Sequence, residues 1–211
     1  NLTAVGVHAI YPNIETMTGS SGYLFDGVTV RSLTTPQSAS LMPVNVTCIV
    51  WMKYLGATGI LQILVEKARN TTIQYSYAMS ISTGELATWS IFDTAGRITD
   101  SVIALSVGRT YCLIGTYVSG VIQNSLKLYV NGKLTKSIST QGTAITYGIN
   151  IQPVRFGSYG GNVSKANAII GKTAILPYAI TAQQVSDYYK YETEPVRKYW
   201  FIASRIKELD S

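Results

Sequence analysis

Eleven carboxylates, one histidine and two cysteines are the side chains of this 211-residue chain suited to acid–base, nucleophilic or metal chemistry. Their spacing gives them little to do. No Asp or Glu lies between Ser101 and Ser186, so that segment works without a carboxylate acid, base or metal ligand. Elsewhere, Glu66 with Glu85 or Asp93 is the one carboxyl pair that a single sheet could bring together. Glycoside hydrolysis needs two carboxyls roughly 5 Å apart when configuration is retained, and roughly 6.5–9.5 Å apart when it is inverted. Nothing in this spacing requires either. The sole histidine, His8, stands near the N-terminus, so a Ser-His-Asp triad or a histidine-rich zinc site has almost no material. It reads as a strand residue with a satisfied imidazole. The stretch GSYGGN, Gly157 to Asn162, lacks the Gly-Lys-Ser/Thr ending of a phosphate loop and reads as a tight turn. No catalytic residue, metal or cofactor is expected.

Binding is left, and composition narrows the partner. Charged residues make up 13% of the chain, against roughly 25% in an ordinary domain. Its 20 Ser and 23 Thr must therefore do much of the solvating. The net charge of +6 comes from scattered single residues such as Arg31, Lys53, Lys67, Arg97 and Arg109. Nucleic-acid binders gather theirs on a stripe, so nucleic acid is not the expected partner. An apolar content of 46% excludes intrinsic disorder, and two cysteines exclude a disulfide-dense scaffold. The longest charge-free stretch, Ser32 to Met52, is broken by prolines and polar residues, so no transmembrane segment is expected.

The chain opens at Asn1 without a Met or a basic, apolar leader, as a processed or excised chain does. Four glycosylation sequons begin at Asn1, Asn45, Asn70 and Asn162. With the low charge, they point to an extracellular or virion-surface setting.

Short strands must position whatever binds. Val28 to Arg31 follows Gly22 to Asp26 across an Asp-Gly turn, and Asn45 to Tyr54 is apolar on both faces. Thr72 to Ile81 alternates, with Ile73, Tyr75, Tyr77, Met79 and Ile81 on one face. Arg109 to Val118 is another strand, and Asn131-Gly132 between Leu126 and Ile138 is the strongest hairpin signal. Ten to twelve such runs with no helix between them predict a sandwich. From Thr181 the pattern turns helical: Thr181 and Gln184 fit a capping box, and Pro195 can start a second helix. Residues 1–180 are thus expected to form the β domain. Residues 181–211 form a helical extension that packs on it or docks to an assembly.

SLKLYVNGKL (Ser125 to Leu134) after RTYCLIGTY (Arg109 to Tyr117) resembles the core of laminin-G-like and pentraxin-like domains. YLFDG, VTCIVWMKY, VRFGSYGGN and IIGKTAILPYAITAQQV match the same family in the same order, from about residue 20 to 190. The resemblance implies an all-β, concanavalin A-like jelly roll of two antiparallel sheets, one of them concave. It also implies a disulfide between Cys48 and Cys112, worth about 4 kcal/mol in the chain-entropy model; two inert buried thiols are the alternative. Two departures matter. The acidic calcium cluster of pentraxin-like domains is missing from GSYGGNVSKANA, and the E-x-D-x-x-E strand of laminarinase-type hydrolases is absent.

If both cysteines face the core, alternation places Trp51, Tyr111 and Tyr117 on the opposite face. That arrangement predicts a glycan groove in which these rings stack on sugar while Gln62, Glu66 and Gln74 hydrogen-bond. The other reading is that a further domain, a subunit or the C-terminal helix covers that face. Three functions follow. The first is a carbohydrate-binding or adhesion module whose partner is a glycan or glycosylated cell surface. The second is a structural subunit of a coat, fibre or tail in the manner of archaeal surface and virus proteins, with other subunits as partners. The third is a divergent glycosidase using Glu66.

Overall fold

The computed structural model of the protein describes residues 3–5, 10–11, 22–29, 31–36, 38–68, 75–92, 96–147, 152–158 and 164–194. In Tyr75–Ile81 (β7), alternation becomes a wall of the core: Tyr77, Met79 and Ile81 point between two sheets, and Ser76 and Ser80 point away. Gln62–Ala68 (β6) and Ala87–Phe92 (β8) flank β7 and add Leu64, Val65, Trp89 and Ile91 to the same core. Gly96–Asp100 (β9) closes one edge. Val154–Phe156 (β13), Ser32–Thr34 (β4) and Thr3–Val5 (β1) extend the other, giving the order β1-β4-β13-β6-β7-β8-β9.

The second sheet is built on Val46–Tyr54 (β5), which pairs with Thr110–Tyr117 (β10) and Asn167–Leu176 (β14). Leu126–Val130 (β11) and Lys133–Ile138 (β12) follow β10, and Gly22–Asp26 (β3) and Ile10–Tyr11 (β2) follow β14. Among the described residues each sheet thus has seven strands, all paired antiparallel. This is the expected jelly-roll sandwich. The β11–β12 turn falls at Asn131-Gly132, where φ of 51° and 76° gives the hairpin its left-handed pair.

The second sheet is apolar on both sides. Val46, Cys48, Val50, Met52 and Tyr54 of β5 face the other sheet. Ile49 and Trp51 face outward, under Ala182–Thr193 (α1). Thr181 caps α1 with Gln184 in the expected capping box. Val185 is fully buried against the outer face, worth about 2 kcal/mol by apolar burial. The second predicted helix, beginning at Pro195, lies outside the described residues.

The expected disulfide does not form: Cys48 and Cys112 are both free and buried. The cause is register. Cys48 sits opposite Gly115 and Cys112 opposite Trp51, so the two thiols occupy different faces of the sheet. Gly115 takes the inward position because the Trp89 ring fills its place in the core. A Cβ there would lie 2.2 Å from Trp89 Cδ2. Leu113 and Tyr117 then point inward as well, and Cys112 and Ile114 point toward α1.

Candidate functional site

The structure does not gather the six expected sugar contacts on one surface. Trp51 is 3% exposed; its indole N–H donates to the Tyr188 hydroxyl at 3.0 Å, and its ring stacks on Tyr189 at 5.9 Å. The C-terminal helix is therefore what covers this face. Tyr117 is buried between the sheets, with its hydroxyl donating to the Thr143 carbonyl. Gln62 is also buried: its amide donates to the Gly56 carbonyl at 3.0 Å and accepts the Asn167 N–H at 2.7 Å. Both bonds fasten the chain between β5 and β6 to the start of β14. Gln74 lies outside the described residues, as do His8, Asp93, Asn1, Asn70 and Asn162.

Glu66 is on the outer face of the first sheet, fully buried, with Oε1 accepting from Arg155 Nη1 at 3.1 Å. Its carboxyl is thus closed to solvent and paired with Arg155 rather than set beside a second carboxyl. Asn45 is half-buried and its Oδ1 accepts the Ser119 N–H at 2.8 Å. The Thr47 hydroxyl of that sequon is buried, donating to the Tyr178 carbonyl at 2.7 Å and accepting the Ile180 N–H at 3.1 Å. In the folded chain this sequon is engaged.

Tyr111 has a different setting. It lines a cleft of about 570 Å³ formed where three separate segments meet. The first wall is the loop between β9 and β10. Leu105 anchors it in the core and its N–H donates to the Glu85 carbonyl at 2.8 Å, while the Ser106 N–H donates to the Tyr111 hydroxyl at 2.8 Å. The second wall is the β11–β12 hairpin, held by the Asn131 Oδ1, which accepts the Cys112 N–H at 2.9 Å. Lys133 and Thr135 follow it into the cleft. The third wall is Tyr189 of α1, whose Cβ packs where a side chain on Gly132 would stand. Gly132 is thus required twice, for its turn and for the helix.

The cleft mixes ring faces, aliphatic surface, an amide and hydroxyls, with Lys133 as the charged side chain among its described lining residues. Burial pushes the Tyr189 phenol above its ordinary value, so near neutrality it is a hydroxyl donor and acceptor. The arrangement suits stacking and hydrogen bonding to a polar ring, and no carboxylate stands among its described lining residues. Of the expected contacts that are described, Tyr111 lines this cleft, and Asn131, Lys133, Thr135 and Tyr189 line it without having been singled out from the sequence. Asn131-Gly132 marked the turn, yet nothing in the sequence marks its approach to α1. A second groove, of about 210 Å³, crosses the outer face of the first sheet; there Ser80 and Thr88 hydrogen-bond to each other beside Ser90 and Asp100. Among the described residues no three His, Cys, Asp or Glu side chains form a metal-binding group, and no helix is long and apolar enough to cross a membrane.

Comparison with known proteins places this geometry. The family model described as the concanavalin A-like lectin/glucanases superfamily matches residues 26–186. No curated protein matches the chain by sequence. Among solved structures it is similar to domain 4 of AbnA, an extracellular GH43 arabinanase from Geobacillus stearothermophilus, solved with arabinotriose. The TM-score is 0.67 at 13% identity, covering 88% of this chain and 86% of that one. It is also similar to the botulinum neurotoxin type C structure described as entering cells through two ganglioside molecules (TM-score 0.66, 11% identity, 91% and 46% covered). A third is the binding domain of Paraclostridial Mosquitocidal Protein 1 (TM-score 0.63, 19% identity, 90% and 47% covered). The chain spans about half the length of these toxin structures. At these identities the likeness is one of fold.

Proposed function

The chain belongs to the concanavalin A-like lectin/glucanase superfamily, and from that membership we propose that it is a non-catalytic carbohydrate-binding module acting outside the cell. The cleft carries this reading: two tyrosines, an amide and hydroxyls converge on about 570 Å³ with no acid among the described lining residues. Its walls are fixed by hydrogen bonds from backbone N–H groups before any ligand arrives, which limits the entropy lost on binding. The arabinotriose seen with the arabinanase domain and the gangliosides named for the neurotoxin are compatible in chemistry with such a cleft. Tyr111 and Tyr189 supply the stacking surfaces, and Asn131, Thr135 and Lys133 the polar contacts. Ala104 is exposed on the cleft wall, so Ala104→Trp fills the cleft without removing a bond. On a glycan array that includes arabino-oligosaccharides and gangliosides, the wild type is expected to bind a defined set and Ala104→Trp to lose it at unchanged thermal stability. Equal binding by both proteins would move the site elsewhere, and no glycan bound by the wild type would end the proposal.

A further inference from the structure

Six aliphatic side chains stand exposed on the loops at one end of the sandwich: Val28, Ile60, Leu61, Val102, Ile103 and Val107. Their placement follows from register. Asp26 pairs with Asn167, Tyr54 with Ala168, Lys53 with Thr110, and Gln62 with Ile81, so segments 27–29, 55–61 and 101–109 leave the sheets at the same end. The three loops touch. A Cβ on Gly27 would meet Thr58 Cγ2 at 2.8 Å, and one on Gly56 would meet Val107 Cγ2 at 3.7 Å. They are also held from below, by the Gly27 N–H on the Ala166 carbonyl at 2.8 Å and the Gly108 N–H on the Tyr54 carbonyl at 2.7 Å. Fixed loops therefore hold Val28 at 77%, Ile103 at 73%, Val102 at 66% and Val107 at 63% exposure. A scattered exposed Val needs no explanation, but six aliphatics on adjoining loops do.

Charge sets the partner. The Lys165 ammonium donates to the Val28 carbonyl at 2.6 Å, one step behind that tip. Arg109 is exposed two residues beyond Val107, and Lys133 is exposed on the neighbouring hairpin. The described carboxylates at this end are turned to other work. Asp26 is held by Arg31 at 3.3 Å and by Thr29, Glu85 accepts the Tyr54 hydroxyl at 3.0 Å, and Asp100 lines the groove on the sheet face. Aliphatic tips with cations set one step back fit an anionic lipid surface, where the tips enter the acyl boundary and the cations meet headgroups. A protein partner would more often be met by Trp, Tyr or Arg anchors in a packed pocket.

We propose that this end of the sandwich is a membrane-interface surface that seats Val28, Val102 and Val107 in an anionic bilayer, with Arg109 and Lys165 on its headgroups. The reading goes beyond glycan binding and does not depend on it. The test is co-sedimentation with vesicles of phosphatidylcholine, alone or mixed with phosphatidylserine. Wild-type protein is expected to partition onto the mixed vesicles, more weakly onto phosphatidylcholine, and to be released by salt. Val102→Asp and Val107→Asp replace exposed side chains outside the cleft; each is expected to lower the partition about tenfold or more at unchanged melting temperature. Val102 and Val107 do not line the cleft, so both variants are expected to keep wild-type binding on the glycan array, which separates this surface from the glycan cleft. No sedimentation of wild type, or full sedimentation of the Val102→Asp/Val107→Asp double variant, would overturn the proposal. So would a dimer in light scattering that the same substitutions dissolve, because the occupant would then be a second copy.

Discussion

The Trp51 indole N–H donates to the Tyr188 hydroxyl at 3.0 Å, tying the middle of the second sheet to the helix above it. The same indole stacks within 8° of parallel on Tyr189, so a side chain suited to a sugar platform is spent on the protein's own packing. Trp51→Phe keeps a stacking ring and loses the bond. It is expected to cost about 1 kcal/mol, or about 2–4 °C in melting temperature, and to leave glycan binding intact. Trp51→Ala opens a cavity beneath α1 and is expected to cost about 3–5 kcal/mol. Denaturant titration with a parallel glycan-array measurement checks both; loss of binding by a folded Trp51→Phe protein would return Trp51 to the site.

Gly115 and Trp89 fix which face of β10 looks inward. With a Cβ 2.2 Å from Trp89 Cδ2, Gly115→Ala must displace an indole that is fully buried and bonded to the Thr116 carbonyl. Overpacking of this kind is expected to cost about 1–3 kcal/mol or more. Gly84→Ala, whose nearest neighbour would be the Ser82 hydroxyl at 3.8 Å, serves as control and is expected to stay within about 0.5 kcal/mol of wild type. Similar melting temperatures for the two variants would contradict this packing.

Those two contacts also explain what could be read without coordinates. Tyr77, Met79 and Ile81 alternate with Ser76 and Ser80, so one period-2 solution exists and β7 is legible. In Arg109 to Val118 both sets, Tyr111, Leu113 and Tyr117 against Cys112 and Ile114, are apolar, because one faces the core and the other faces α1. Alternation cannot choose between them. Treating Cys48 and Cys112 as facing the same way misplaces Tyr117, and the disulfide implied by the family resemblance needs the same facing, which the register denies. The helix itself was legible from Thr181 and Gln184, but its landing place was not, since Tyr188 finds its partner, Trp51, 137 residues earlier. The cleft was hidden for the same reason: Ser106, Asn131 and Tyr189 meet only in three dimensions.

Free, enclosed thiols behave differently from a disulfide. Burial pushes Cys48 up to about 12 and raises Cys112 as well, so near neutrality neither holds appreciable reactive thiolate. Reductant is expected to leave the melting temperature unchanged. A thiol reagent is expected to label neither cysteine in the native protein and both after denaturation. Two more reactive thiols in the reduced than in the unreduced denatured sample would show a bridge.

Alkali should unfold this protein earlier than acid chemistry alone would suggest. Burial raises Cys48 from 9.0 to about 12; burial, then the Glu85 carboxylate, raises Tyr54 from 10.0 to about 12. Tyr77 and Tyr147 move the same way, also chiefly by burial. Between the unfolded and folded values the native state holds protons that the unfolded chain has released. Stability is therefore complete below about 9 and falls as pH climbs through the folded values. Lys172 adds to the fall: burial lowers its ammonium, but the bond to Glu192 at 2.5 Å outweighs that and holds it above 10.5, so helix docking weakens once the proton leaves. Lys67 opposes with a single ammonium that burial pushes down. Cys48 alone accounts for up to about 1.4 kcal/mol per pH unit in its window. Denaturation midpoints followed from neutral pH upward are expected to decline from near 9, with Cys48→Ala delaying the onset. A midpoint that stays flat through the tyrosine range would mean that these hydroxyls and thiols are not enclosed.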